Sequence, residues 1–144
     1  MLFLVHHAEA VDAQIDPQRP LTSAGNTHAQ RTAAAVAGRG AKPAVIWHSG
    51  KLRARQTAEH FWRACNPLAE FAAARGLQPD DPPQWIADVI IGEERDVMLV
   101  GHMPHLGRLL VLLHRDGGAA REFPLHACVA LEQRNGGWTE VWRE

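Results

Sequence analysis

LFLVHHAEA, residues 2–10, is the stretch on which the reading of this chain turns. Leu2 to Val5 form an apolar run of strand length with no polar residue alternating through it. Such a run reads as a buried strand. The run ends abruptly on two adjacent imidazoles, His6 and His7. Side-by-side histidines are poor core residues, and a strand tip is where an open α/β sheet binds its ligand.

Two further runs repeat this arrangement. AVIWHS, 44–49, reads as a second strand, followed by a helix over about 51–65 with Leu52, Phe61, Trp62 and Cys65 as its apolar positions. DVMLV, 96–100, reads as a third, followed by a turn and an apolar helix in GHMPHLGRLLVLLHR. Residues 11–21 form a loop, and Thr22 or Ser23 is suited to cap a helix that runs to Gly38. Residues 66–79 are ambiguous. Alanine content and the Asn66-Pro67 start favour a helix, whereas Gly76 and Pro79 break it early. Asp80 and Asp81 before Pro82 suit the start of a helix to about residue 91. HACVALEQ and GWTEVWR, on either side of Asn135-Gly136-Gly137, read as a β-hairpin. Strands alternating with helices predict one α/β domain over residues 1–144, with a mostly parallel sheet and an antiparallel edge.

Composition narrows the class. The chain has 144 residues, 46% of them hydrophobic and 22% charged, as in an ordinary globular domain. A net charge of −1 carries no electrostatic footprint for nucleic acid or an anionic membrane. The apolar start lacks a basic flank and is too short to span a bilayer, so neither a membrane segment nor a signal peptide is expected. Cys65 and Cys128 sit in no CxxC and are expected to be free, buried thiols of a cytoplasmic protein. The one excess is nine histidines.

The three strand ends deliver His7, Arg53 and His102 toward a single pocket. Arg53 falls in the first turn of its helix, near free N–H groups and the positive dipole end, and Arg19 in the preceding loop is within reach. Two guanidiniums and two imidazoles with little carboxylate nearby suit a phosphoryl group. Guanidinium forks grip its oxygens, a neutral imidazole attacks phosphorus, and a second imidazole stabilises the developing charge.

The same residues carry a resemblance. LFLVHHAEA is similar to the LxLxRHGxA opening of the histidine phosphatase superfamily, with its phosphoglycerate-mutase-like fold. RPLTSAG, 19–25, resembles that family's RPLTxxG segment. HSGKLRARQTAE, 48–59, resembles SPxxRAxQTA, and VGHMPHLG, 100–107, resembles its second-histidine segment. The short length resembles the SixA-type phosphohistidine phosphatases. The resemblance implies a three-layer α/β/α sandwich and an extended segment at residues 68–74. It implies His7 as nucleophile, Arg53 as phosphate clamp, His102 as the pocket's second histidine and Arg19 as a further phosphate contact. It also implies hydrolysis of a phosphohistidine protein or a small phosphate ester, with no cofactor and no metal.

Two departures stand out. His6 occupies the place of the family's arginine, and Gly50 the place of its proline. His6 is either packing beneath the pocket or a partly protonated stand-in that binds phosphate. Its presence opens an alternative, a catalytically weak or inactive relative that binds phosphorylated ligands. A metal site built from His6, His7, His102 and His105 is a second alternative, weakened by the absence of neighbouring carboxylates. Glu9 is a possible proton donor or a solvated loop residue. His28, His60 and His114 are expected to be solvated, while His48, His105 and His126 flank the pocket segments and His126 is a candidate to line the pocket. Trp138 and Trp142 are expected to pack in the hairpin.

Overall fold

A computed structural model describes residues 1–114 and 122–144. Six strands form one sheet: β1 (Leu2–His6), β2 (Val45–His48), β3 (Glu70–Ala73), β4 (Val97–Gly101), β5 (Cys128–Arg134) and β6 (Gly137–Arg143). Their order across the sheet is β3-β2-β4-β1-β5-β6. The first four are mutually parallel, and β5 runs antiparallel to both β1 and β6. Four helices lie among the described residues: α1 (Ser23–Gly38), α2 (Leu52–Cys65), α3 (Pro83–Ile91) and α4 (His105–Leu113). The expected terminal residue of the last helix, Arg115, lies outside the described residues.

The unbroken apolar run of β1 has the predicted consequence. Leu2 and Leu4 project to one face, where they meet Ile86, Ala87 and Ile90 of α3 and Leu106, Leu109 and Leu110 of α4. Phe3 and Val5 project to the other and meet Ala33 and Val36 of α1 and Ala54, Ala58 and Phe61 of α2. Successive strand residues point to opposite faces, so four apolar residues in a row need a helical layer on each side. The result is a three-layer α/β/α sandwich with β1 beside its centre.

Residues 70–73 are a strand, as the resemblance implied and against their alanine content. Glu70 to Ala73 pair in register with Val45 to His48, and Gly76 at φ +89° turns the chain away before a helix could form. Edge pairing outweighs a local propensity worth only tenths of a kcal/mol per residue. The hairpin forms as predicted. Asn135 and Gly136 take positive φ values of 50° and 78°, as a tight primed turn requires. Trp142 packs on Phe3 at 5.9 Å between ring centroids, under the Arg39 guanidinium. Cys128 is buried but Cys65 only partly so; both are free thiols. No described helix is long and apolar enough to cross a membrane.

Candidate active site

The carboxyl ends of β1, β2 and β4 lie side by side and carry His6-His7, His48-Ser49 and Gly101-His102. The His7 and His102 ring centroids are 5.0 Å apart. Arg53, one residue inside α2, reaches across to His7, with its Nε 3.3 Å from His7 Nε2. Strand pairing alone therefore brings together three residues separated by 46 to 95 positions in sequence.

Two contacts specify the state of the His7 ring. Its Nδ1 lies 2.7 Å from the Ala8 carbonyl oxygen, which can only accept, so Nδ1 carries the proton. The Arg53 N–H points at Nε2, which must then present a lone pair. Burial, with Arg53, His126 and Arg19 nearby, pulls the His7 pKa down to about 4, while the Ala8 carbonyl opposes the shift. The ring is neutral at physiological pH.

Thr57 ties the supports together. Its hydroxyl accepts the Ala8 N–H at 3.0 Å and donates to the Arg53 carbonyl oxygen at 2.8 Å. Arg19 sits in the left-handed region at φ 50°, and its Nε donates to the Val11 carbonyl oxygen at 3.0 Å. It is near enough to lower the pKa of both His7 and Arg53, although burial is the larger cause for each.

His102 is almost fully buried. Its Nε2 is 2.6 Å from the Ser49 hydroxyl, which also accepts the Lys51 N–H at 3.3 Å. The other ring nitrogen, Nδ1, is buried and has no partner among the described residues. Burial, with His7, Arg53, Lys51 and His6 nearby, brings the pKa of His102 down to about 2. Buried polar atoms are rarely left unpaired, and a partner that arrives with a ligand accounts for this one.

For His6 the surroundings bear on the choice between packing and a charged stand-in. It is 6% exposed, and burial, with His7, His126 and Arg53 nearby, lowers its pKa to about 3. Its Nδ1 accepts the His126 backbone N–H at 2.9 Å. The ring is therefore neutral, with its proton on Nε2, rather than a partly protonated stand-in for arginine. No desolvated imidazole surrounded by cations keeps a charge of its own.

Gly50 adopts φ +89°, out of reach of the proline it replaces, and its N–H donates to His48 Nδ1 at 3.0 Å. His48 is thereby a buried structural histidine. His105 is fully buried at the start of α4, near Gly76 and Asp81. His60 and His114 are half-buried rather than solvated, and His60 Nε2 is 3.1 Å from Asn26 Oδ1. Among the described residues, no three His, Cys, Asp or Glu side chains are grouped to hold a metal ion.

His126 belongs to the cluster. It precedes β5, and because β5 runs antiparallel to β1, the start of β5 falls at the functional edge. The His126 ring stacks on His6 with centroids 5.1 Å apart and planes at 17°, and its Nδ1 is 2.6 Å from the His7 carbonyl oxygen. Its φ of 55° is a left-handed conformation that costs a non-glycine residue about 1 kcal/mol or more. The legible signal in the sequence was its place just before the hairpin strand. Beside it opens a cleft of about 730 Å³ lined by Glu9, Gly25, Thr27, His28, Arg31 and His126. The Glu9 carboxylate accepts the Thr22 hydroxyl at 2.7 Å across its rim.

Known structures share this architecture. The protein histidine phosphatase SixA complexed with tungstate superposes with a TM-score of 0.86 at 24% identity, covering 99% of this chain and 94% of that one. A protein from Agrobacterium tumefaciens assigned as phosphohistidine phosphatase SixA gives 0.84 at 26% identity, covering 99% and 96%. The ecdysone phosphate phosphatase from Bombix mori in complex with tungstate gives 0.73 at 16% identity, covering 98% and 91%. No curated protein matches the chain by sequence. The fold is phosphoglycerate-mutase-like, and the family model described as histidine phosphatase superfamily (branch 1) matches residues 2–78. That match spans more than half of the chain and includes His7 and Arg53, so the chain belongs to the histidine phosphatase superfamily.

Proposed function

We propose that the protein is a phosphatase that works through a covalent phosphohistidine on His7, without a metal. One observation carries this reading: His7 is held in the single tautomer whose Nε2 lone pair faces a guanidinium. The lone pair attacks phosphorus and the bond to the leaving group breaks. The Arg53 N–H that now points at Nε2 passes to a phosphoryl oxygen, and Arg19 adds a second positive charge. His102 supplies a donor from Nδ1 when Ser49 donates to its Nε2. His6, as the Nε2–H tautomer, contributes an uncharged donor to the phosphate. Water then hydrolyses the phosphohistidine and releases phosphate.

The substrate is a phosphohistidine on a protein or a small phosphomonoester. One of the similar structures is named the protein histidine phosphatase SixA, a second a phosphohistidine phosphatase SixA, and a third an ecdysone phosphate phosphatase. On this reading the protein is a cytoplasmic enzyme that works without a cofactor.

Labelled substrate and rapid quenching test the reading. Label on the wild type should be acid-labile and base-stable. His7→Ala should lose both label and turnover while keeping its fold, and chelators should leave the wild-type rate unchanged. Label that persists in His7→Ala removes His7 from the reaction. Tight binding of phosphorylated ligands without any turnover turns the protein into a phospho-binding relative, the reading that the His6 replacement favours.

A further inference from the structure

We propose that His126 is the general acid–base of this site, donating a proton from Nε2 to the leaving group and taking one from the attacking water. The inference rests on the phosphatase reading above and supplies the proton donor that reading lacks.

Of the two ring nitrogens of His126, only Nδ1 has a hydrogen-bond partner among the described residues. Its Nδ1 is 2.6 Å from the His7 carbonyl oxygen, an acceptor only, so Nδ1 holds a proton in either charge state. The exchangeable position is therefore Nε2. The same carbonyl stabilises the ring when it becomes an imidazolium, as an orienting acceptor does for other catalytic histidines. The backbone N–H of His126 is fixed on His6 Nδ1 and its ring stacks on His6, so the side chain is held from three directions. Its ring centroid is 6.2 Å from that of His7. The ring also lines the cleft of about 730 Å³. Glu9, the other candidate donor on that cleft, already uses its carboxylate to accept the Thr22 hydroxyl.

The step balances. His7 Nε2 forms a bond to phosphorus as the phosphorus–oxygen bond breaks. The leaving oxygen takes the Nε2 proton of the His126 imidazolium and departs as an alcohol. In the second half, neutral His126 removes a proton from water, hydroxide attacks phosphorus and the bond to His7 breaks. Hydrogen phosphate leaves and both histidines return to their starting states.

A general acid matters most when the leaving group is poor. The test compares kcat/KM on p-nitrophenyl phosphate, unactivated aryl phosphates, an alkyl phosphate and a phosphohistidine protein. His126→Asn is the main variant, because asparagine tolerates positive φ and its amide retains a donor toward the His7 carbonyl. We expect it to lose about a hundredfold on the alkyl phosphate and less than about threefold on p-nitrophenyl phosphate. Thermal melts of the same protein should match the wild type. A uniform loss across all leaving groups, or no loss, overturns the proposal and leaves His126 a positioning residue. A leaving-group-dependent loss in Glu9→Gln but not in His126→Asn also overturns it, in favour of Glu9. Wild-type protein that turns over nothing in the panel and takes no label on His7 removes the phosphatase reading and this proposal with it. An active wild type with an unchanged leaving-group profile in His126→Asn removes this proposal alone.

Discussion

Arg53 Nε approaches His7 Nε2 to 3.3 Å, while Thr57 links the backbone that follows His7 to the Arg53 carbonyl. Arg53 and the residue after His7 are thus braced on one hydroxyl, and the helix carrying Arg53 cannot shift without disturbing the loop at Ala8. Precise placement of this kind is what converts a bound phosphate into a reacting one.

Arg53→Ala removes a charge-assisted fork at a point where charge develops. Such donors are worth on the order of 3 kcal/mol in the transition state, or roughly two orders of magnitude in kcat. Arg53→Lys should recover only part of this, since a point charge cannot reproduce the fork. Steady-state kinetics on a single substrate decides the matter, and a near-normal rate in either variant places Arg53 outside the chemistry.

Stability should depend on pH in a defined window. His6, His7 and His102 have folded-state pKa values of about 3, about 4 and about 2, against 6.5 when unperturbed. Between pH 6.5 and about 4 the unfolded chain binds these protons and the folded chain does not. Stability is therefore full above pH 6.5 and falls with pH, by up to about 1.4 kcal/mol per pH unit for each histidine. Melting temperatures measured from pH 8 to 4.5 should show a plateau and then a decline. A flat profile throughout would mean that the rings take up protons within the fold.

Gly25→Ala should damage both fold and site. A Cβ at Gly25 would lie 2.1 Å from the Glu9 carbonyl oxygen, a backbone atom that already accepts the Thr22 N–H at 3.0 Å. Relief requires the loop after His7 to move, at a cost of about 1–3 kcal/mol. Denaturant unfolding and kcat measured together test this, and wild-type values for both would show that the α1 entry is looser than its packing implies.

His6→Arg restores the family's residue but not its surroundings. The His126 N–H would lose its acceptor, and an unsatisfied buried donor costs about 1–3 kcal/mol. The variant should be less stable than the wild type and should show no gain in phosphate affinity. A lower Michaelis constant with unchanged stability would show that the pocket readily accommodates the guanidinium.

The sequence by itself determined an α/β domain with a mostly parallel sheet, and the resemblance of its motifs implied the sandwich. LFLV needs a helical layer on each face, and a helix following each parallel strand supplies it. Once those strands are parallel, His7, Ser49 and His102 must end at one edge, so the juxtaposition was legible before any coordinate. Local composition misled at residues 70–73, where pairing with β2 overrode alanine-rich sequence. Only the tertiary structure decided the charge of His6, because desolvation and an acceptor contact with the His126 N–H depend on neighbours 120 residues away. The same holds for His126 itself. Its place at the site follows from the antiparallel direction of β5 beside β1, a relation between strands that no local pattern encodes.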